Sequence, residues 1–273
     1  MPGLRRRRQT GRGRRVVSGS HRDGGGLMCG TCGCGDSEII SVPVHESILA
    51  GNSERARHNR EHFVQRGVFA VNLMGSPGSG KTAVLEATAR ALAGRRRVAA
   101  ITGDLETDRD AERLRKAGVP TIAITTGSAC HLDAEMVHRA AHHLPSDDLD
   151  YLFVENVGNL VCPAIYDLGQ SANVVALSVT EGEDKPLKYP VMFRNADLVL
   201  LTKLDLLRHL QVSLEAIQES LARVMPRPAT IAFSAQNGMG MDEWVEWLEA
   251  HRFANSWKPQ PNVLRARARG ATL

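Results

Sequence analysis

The chain has 273 residues, 42% apolar and 23% charged, a balance suited to one substantial buried core, and no apolar run approaches the ~18 residues that would span a bilayer. The net charge of +4 misleads, because residues 1–27 carry eight arginines against one acid and the rest carries 26 basic and 29 acidic residues, a net charge of −3. A mildly acidic body gives no electrostatic reason to bind nucleic acid.

Residues 1–27 form an Arg/Gly-rich leader with three readings. A basic nucleic-acid arm or transit peptide would call for aromatic interleaving or an apolar face, and neither is present. A solvated tail is the second reading, since Arg, Gly and Ser cannot bury enough surface to order themselves. The third is that the true start is Met28, directly before a cysteine motif at 28–36. A polar linker over 37–66 follows, with an amphipathic helical pattern from Ile48 to Val64. From Gly67 strands and helices alternate. Strands are expected at Gly67–Met74, Val98–Thr102, Thr121–Thr125, Tyr151–Glu155, Val174–Val179, Leu198–Thr202 and Thr230–Phe233. Helices are expected at Lys81–Ala93, 108–117, 132–144, 212–224 and 241–252. The alternation predicts one α/β domain over 67–255, a mostly parallel sheet with helices on both faces, and then a flexible tail at 256–273.

Gly75-Ser76-Pro77-Gly78-Ser79-Gly80-Lys81-Thr82 is a full P-loop (Walker A) motif placed between a strand and a helix. Its glycines let backbone N–H groups close around phosphate at the positive end of the helix. Lys81 would reach the β- and γ-phosphates, and the Thr82 hydroxyl would ligate Mg²⁺. Asp104 and Glu155 close strands, where carboxylates point into the ligand crevice and would hold Mg²⁺ through water; a helix cap or solvated loop is the rival for either alone. Thr202-Lys203-Leu204-Asp205 stands where guanine-specific proteins carry Asn-Lys-x-Asp. Asp205 would accept from the guanine N1–H and amine together, Lys203 would lie along the ring, and Ser234-Ala235 would offer a backbone donor to the guanine oxygen; for the four residues alone a helix cap is the other reading. No glutamine follows Gly158 to orient a water, so slow intrinsic GTP hydrolysis is expected.

Five cysteines, with no apolar signal segment before them, fit a reducing cytoplasm. Cys29, Cys32 and Cys34, flanked by glycines, would wrap one soft cation. With Met28 as the start, the nearby α-amino group would complete a three-sulfur, one-nitrogen set suited to square-planar Ni²⁺, which is why that start is favoured. Cys130, His131 and Cys162 lie in loops that a parallel sheet would open on the phosphate edge; buried apolar cysteines are the alternative. His138 and His142, four apart on one expected helix with His143, could bind a metal, but a solvated helix end is the favoured reading, and the scattering of His45, His58 and His62 argues against bulk nickel storage.

Together these segments resemble the hydrogenase nickel-incorporation GTPases, the HypB family. The matching stretches are Met28 to Cys34, Gly75 to Thr82, Gly103-Asp104 with Asp110-Ala111, Thr126 to Ala134, Glu155 to Pro163 and Ser178 to Pro190. The resemblance implies a SIMIBI-type G domain, a P-loop NTPase that forms a homodimer when GTP binds. It also implies a tight nickel site on Cys29, Cys32 and Cys34 and a weaker Ni²⁺/Zn²⁺ site on Cys130, His131 and Cys162. A HypA-type nickel chaperone and the hydrogenase large-subunit precursor would be its partners. Lys185 resembles a family lysine expected to approach nucleotide across the dimer; a helix-start salt bridge is the other reading. A urease-type nickel GTPase, a non-catalytic metal buffer and an ATP-dependent kinase are the rival functions.

Overall fold

The computed structural model describes residues 41–145 and 148–256, so Cys29, Cys32 and Cys34, the leader and the tail lie outside the described residues. Seven strands make one sheet: β1 (Phe69–Met74), β2 (Val98–Asp104), β3 (Thr121–Thr125), β4 (Tyr151–Glu155), β5 (Ala172–Ser178), β6 (Leu198–Thr202) and β7 (Thr230–Ala232). Their order is β3-β2-β4-β1-β5-β6-β7, and every pairing is parallel. The helices are α1 (Ser41–Gln65), α2 (Lys81–Leu92), α3 (Arg109–Lys116), α4 (Ala134–Ala141), α5 (Lys185–Lys188), α6 (Pro190–Arg194), α7 (Leu214–Val224) and α8 (Met241–Ser256). None among the described residues is long and apolar enough to cross a membrane.

Successive strand residues feed opposite faces. On one face Phe69, Val71, Leu73, Tyr151 and Phe153 pack with Val84 and Leu85 of α2, Leu114 of α3, and Trp244 and Leu248 of α8. Trp244 is fully buried and donates its indole N–H to Thr88 Oγ1 at 2.8 Å, so α8 is pinned to α2 without an unpaired donor. On the other face Ala70, Leu152 and Val154 meet Phe63 of α1 and Val137 of α4. Further along that face Val175, Leu177 and Val199 meet Met192 and Phe193 of α6 and Ile217 and Leu221 of α7. Burial on both sides is why β4 and β6 read as unbroken apolar runs rather than alternating ones.

Helices α5 and α6 were not legible as helices. They are four and five residues long, each with proline in its first turn, too short for a helical apolar period to register. Because all strands run one way, their carboxyl ends share one edge. Met74, Asp104, Thr125, Glu155, Ser178, Thr202 and Ala232 end there, and the loops they feed build the site.

Candidate functional site

The P-loop leaves central strand β1 between β4 and β5. At Gly75 the chain has φ of 149°, and an added Cβ would stand 2.4 Å from the Ala176 carbonyl oxygen, so only glycine fits. Lys81, 7% exposed, donates from Nζ to the carbonyls of Ser76 (3.1 Å) and Gly75 (3.3 Å). Burial lowers its pKa, with Glu155 opposing that shift. Thr82 Oγ1 donates to Glu155 Oε1 at 2.8 Å. The other Glu155 oxygen is buried without a hydrogen-bond partner, and burial pushes this carboxyl up to about 7, with Lys81 opposing. Asp104 behaves differently. Its Oδ1 accepts from the N–H groups of Thr107 (2.9 Å) and Glu106 (3.0 Å), which hold its pKa down.

Lys81, Thr82, Asp104 and Glu155 thus converge on one cleft of about 690 Å³, lined also by Pro77, Gly78 and Gly80. A hydroxyl beside a carboxylate with a free buried oxygen fits a hard divalent cation such as Mg²⁺, which takes oxygen ligands. A second cavity of about 340 Å³ borders the P-loop at Gly80 and is lined by Thr202, Lys203, Asp205, Phe233 and Ala235. Thr202, standing where asparagine was expected, donates from Oγ1 to the Ser79 carbonyl at 2.6 Å and so ties the end of β6 to the P-loop. Lys203 takes a left-handed conformation, φ 57°, and Asp205 Oδ1 accepts from the Ser234 hydroxyl. The Ser234 N–H already donates to the Met239 carbonyl at 3.0 Å, so of the Ser234-Ala235 pair Ala235 is the one that borders the cavity.

Cys130 and Cys162, 32 positions apart in sequence, come together with Sγ atoms 2.9 Å apart. His131 Nδ1 lies 3.9 Å from Cys130 Sγ, and the three ligand atoms fall within 4.8 Å of one another. Both cysteines are free thiols at intermediate burial. The His131 ring stacks on Tyr166 at 3.7 Å between centroids, and burial keeps its pKa low, leaving a neutral imidazole able to ligate. Two sulfurs and one nitrogen suit borderline or soft cations such as Ni²⁺ and Zn²⁺.

This cluster is bolted to the cleft. Asn156, buried directly after Glu155, accepts on Oδ1 from the N–H of Leu132 (3.1 Å) and of Val157 (3.0 Å). Its amide donates to Asn72 Oδ1 at 3.1 Å, in the middle of β1. A Cβ on Gly158 would meet the Pro77 ring at 2.9 Å, and one on Gly103 would strike the Leu132 side chain at 2.7 Å. Gly75 and Asn159 form an antiparallel bridge. The loops carrying Cys130-His131 and Cys162 therefore run directly along the P-loop and the end of β2.

Sequence reading missed several contributors. Glu181 accepts from the Ser76 hydroxyl and pairs with Lys185 at 3.5 Å, so within this chain Lys185 is linked to the P-loop through Glu181. Arg113 lines both cavities and pairs with Glu86 at 2.8 Å. No linear motif marks these residues. Glu181 stands out in the sequence only within the matching stretch Ser178 to Pro190.

Residues 69–232 match the profile of the CobW/HypB/UreG nucleotide-binding domain. The hydrogenase maturation factor HypB of Azotobacter chroococcum mcd 1 is 49% identical over 86% of this chain and 76% of its own length. The hydrogenase/urease maturation factor HypB of Helicobacter hepaticus is 46% identical over 79% of this chain and 90% of its own. The crystal structure of HypB from Helicobacter pylori in complex with nickel superposes with a TM-score of 0.72 at 37% identity, covering 77% of this chain and 99% of that one. With a P-loop, a second cavity beside it and a thiol cluster on one sheet edge, the chain belongs to the CobW/HypB/UreG family and, within it, to the HypB hydrogenase maturation factors.

Proposed function

We infer that this protein is a nickel GTPase of hydrogenase maturation, coupling the GTP cycle to delivery of Ni²⁺ into the hydrogenase large-subunit precursor. The observation that carries this reading is that one buried side chain, Asn156, joins the Glu155 end of the cleft to the Cys130-His131 loop.

Gly75 to Thr82 would hold the phosphates, with Lys81 leaving the P-loop carbonyls for the β- and γ-phosphates. Thr82, Asp104 and Glu155 would hold Mg²⁺, which supplies charge neutralisation at the phosphates. The buried, partnerless oxygen of Glu155 supports that assignment. Asp205 and Lys203 would select guanine, and Ala235 would offer its N–H. Cargo Ni²⁺, or Zn²⁺ in its place, would sit on Cys130, His131 and Cys162, with a separate tight site on Cys29, Cys32 and Cys34. GTP-dependent homodimerisation would bring Lys185 of one copy toward the nucleotide of the other. A HypA-type chaperone would exchange nickel with it in the cytoplasm, where thiols stay reduced. Hydrolysis would be intrinsically slow. A relative named for both hydrogenase and urease maturation favours urease as a second client.

The test measures GTP turnover and Ni²⁺ binding on the full chain. Lys81→Ala should cut turnover by at least about 100-fold while nickel on Cys29, Cys32 and Cys34 is retained. A wild-type chain without GTP turnover at any nickel level, or an equal concentration of ATP displacing GTP, rejects the reading.

A further inference from the structure

Four histidines that are scattered in the sequence meet between two helices. His58 and His62 are one turn apart on α1; His138 and His142 are one turn apart at the end of α4. The pairs face each other. Ring centroids lie 5.1 Å apart for His58 and His138, 5.8 Å for His62 and His142, and 4.6 Å for His138 and His142. Imidazoles that share one cation at a metal–nitrogen distance of ~2 Å have centroids about 5 Å apart. The Nε2 atoms of His138 and His142 are already 3.3 Å apart.

The tautomer of His138 is fixed by its surroundings. Asn59 is 1% exposed, and its Nδ2 donates to two carbonyls, Ala134 (2.8 Å) and Leu168 (3.0 Å). A flipped amide would set oxygen against oxygen, so Asn59 Oδ1 must be the atom facing His138 Nδ1 at 3.0 Å. That oxygen can only accept. His138 therefore carries its proton on Nδ1 and presents a lone pair on Nε2 toward His142. A ligating histidine is oriented in this same way, by a buried group bonded to its other nitrogen. The helices are locked in place: Asn52 Oδ1 accepts from the Ala134 N–H at 2.9 Å, Arg55 pairs with Glu135 at 2.7 Å, and Gly169 has no room for a Cβ against Ala56 and Asn59. His58 and His142 are exposed, so their rings can turn onto a shared ion.

We propose that His58, His62, His138 and His142 form a further binding site for one first-row divalent cation, Ni²⁺ or Zn²⁺, held by nitrogen alone between α1 and α4. Imidazole ligation suits both ions and excludes Mg²⁺, which prefers oxygen. The site lies one helix beyond the Cys130-His131 loop and is separate from the nucleotide cleft and the thiols of the functional reading above.

The experiment uses the full chain with its thiols alkylated by iodoacetamide, adding Ni²⁺ alone or Zn²⁺ alone and measuring retention by equilibrium dialysis. One equivalent should be retained. The His58→Ala/His138→Ala double variant should lower affinity at least about tenfold, and His251→Ala should not change it. No retained metal, or retention that the double variant leaves unchanged, overturns the proposal. On the unmodified chain, the imidazole C–H signals of the four histidines should broaden together when Ni²⁺ is added beyond saturation of the thiol sites. Signals that stay sharp there overturn it equally. GTP turnover and thiol-bound nickel are expected to be unaltered in the double variant, so this site can fail while the nickel GTPase reading stands.

Discussion

The phosphate end of the cleft and the thiol cluster share one sheet edge but are held in different ways. Around the P-loop almost every position is over-determined: Gly75 has no room for a side chain, Lys81 and Glu155 are buried, and Thr202 ties β6 to the loop. Cys130, His131 and Cys162 are only partly buried; the first two sit in an irregular loop, Cys162 opens a short 3-10 turn, and His131 leans on one stacked ring, Tyr166. A rigid half can bind nucleotide with little reorganisation, whereas a loosely held half can exchange metal. The lesson lies in the joint between them. Asn156 and the close packing of Gly158 on Pro77 leave little slack, so under the proposed function a shift that γ-phosphate imposed on the loop after Glu155 would be passed to the sulfurs.

The strongest way to break the comparison is to cut that joint. Asn156→Leu leaves the Leu132 and Val157 N–H groups buried and unpaired, and should destabilise the protein by about 3 kcal/mol. Urea unfolding would measure this. The same variant should bind GTP with affinity close to wild type while its thiol site no longer responds to nucleotide; an unchanged response would remove Asn156 from the coupling.

A smaller effect sharpens the rigid side. Glu155 has its folded pKa raised to about 7, above the ordinary carboxyl value, so the folded state holds the proton better than the unfolded chain. The resulting stabilisation relative to an ionised carboxylate is whole below about pH 4.5 and is lost as pH rises through about 7. In EDTA, wild type should lose about 2 kcal/mol between pH 5 and pH 8 relative to Glu155→Gln, read from urea midpoints at both pH values. Equal losses in the two proteins would mean that Glu155 is not charged at a cost.

The sheet was legible because its strands are mostly apolar runs of three to seven residues bounded by turn residues, with the longer helices between them. Tyr151–Glu155 and Leu198–Thr202 match the observed strands to the residue. The P-loop and the base-side motif were readable for the same reason, since phosphate binding needs a contiguous run. Of the histidine cluster only the His138 and His142 pair was readable, because His58 and His138 are eighty positions apart and only the packing of α1 on α4 joins them. Nor did the sequence assign Asn156 its role. It was visible as the residue after Glu155, but its partners, Leu132 and Asn72, come from two other segments. In the Ser234-Ala235 pair the Ser234 N–H is taken by the Met239 carbonyl because the chain turns back there, a detail of one loop that no propensity encodes.

The most direct test compares Ni²⁺ affinity at Cys130, His131 and Cys162 with GDP bound and with a non-hydrolysable GTP analogue bound. Cys29, Cys32 and Cys34 are replaced by serine so that only this thiol site reports. The two affinities should differ by at least about tenfold, the ~1.4 kcal/mol of a working allosteric coupling. Equal affinities in the two nucleotide states would contradict that coupling, and would leave a GTPase and a metal site that merely share an edge.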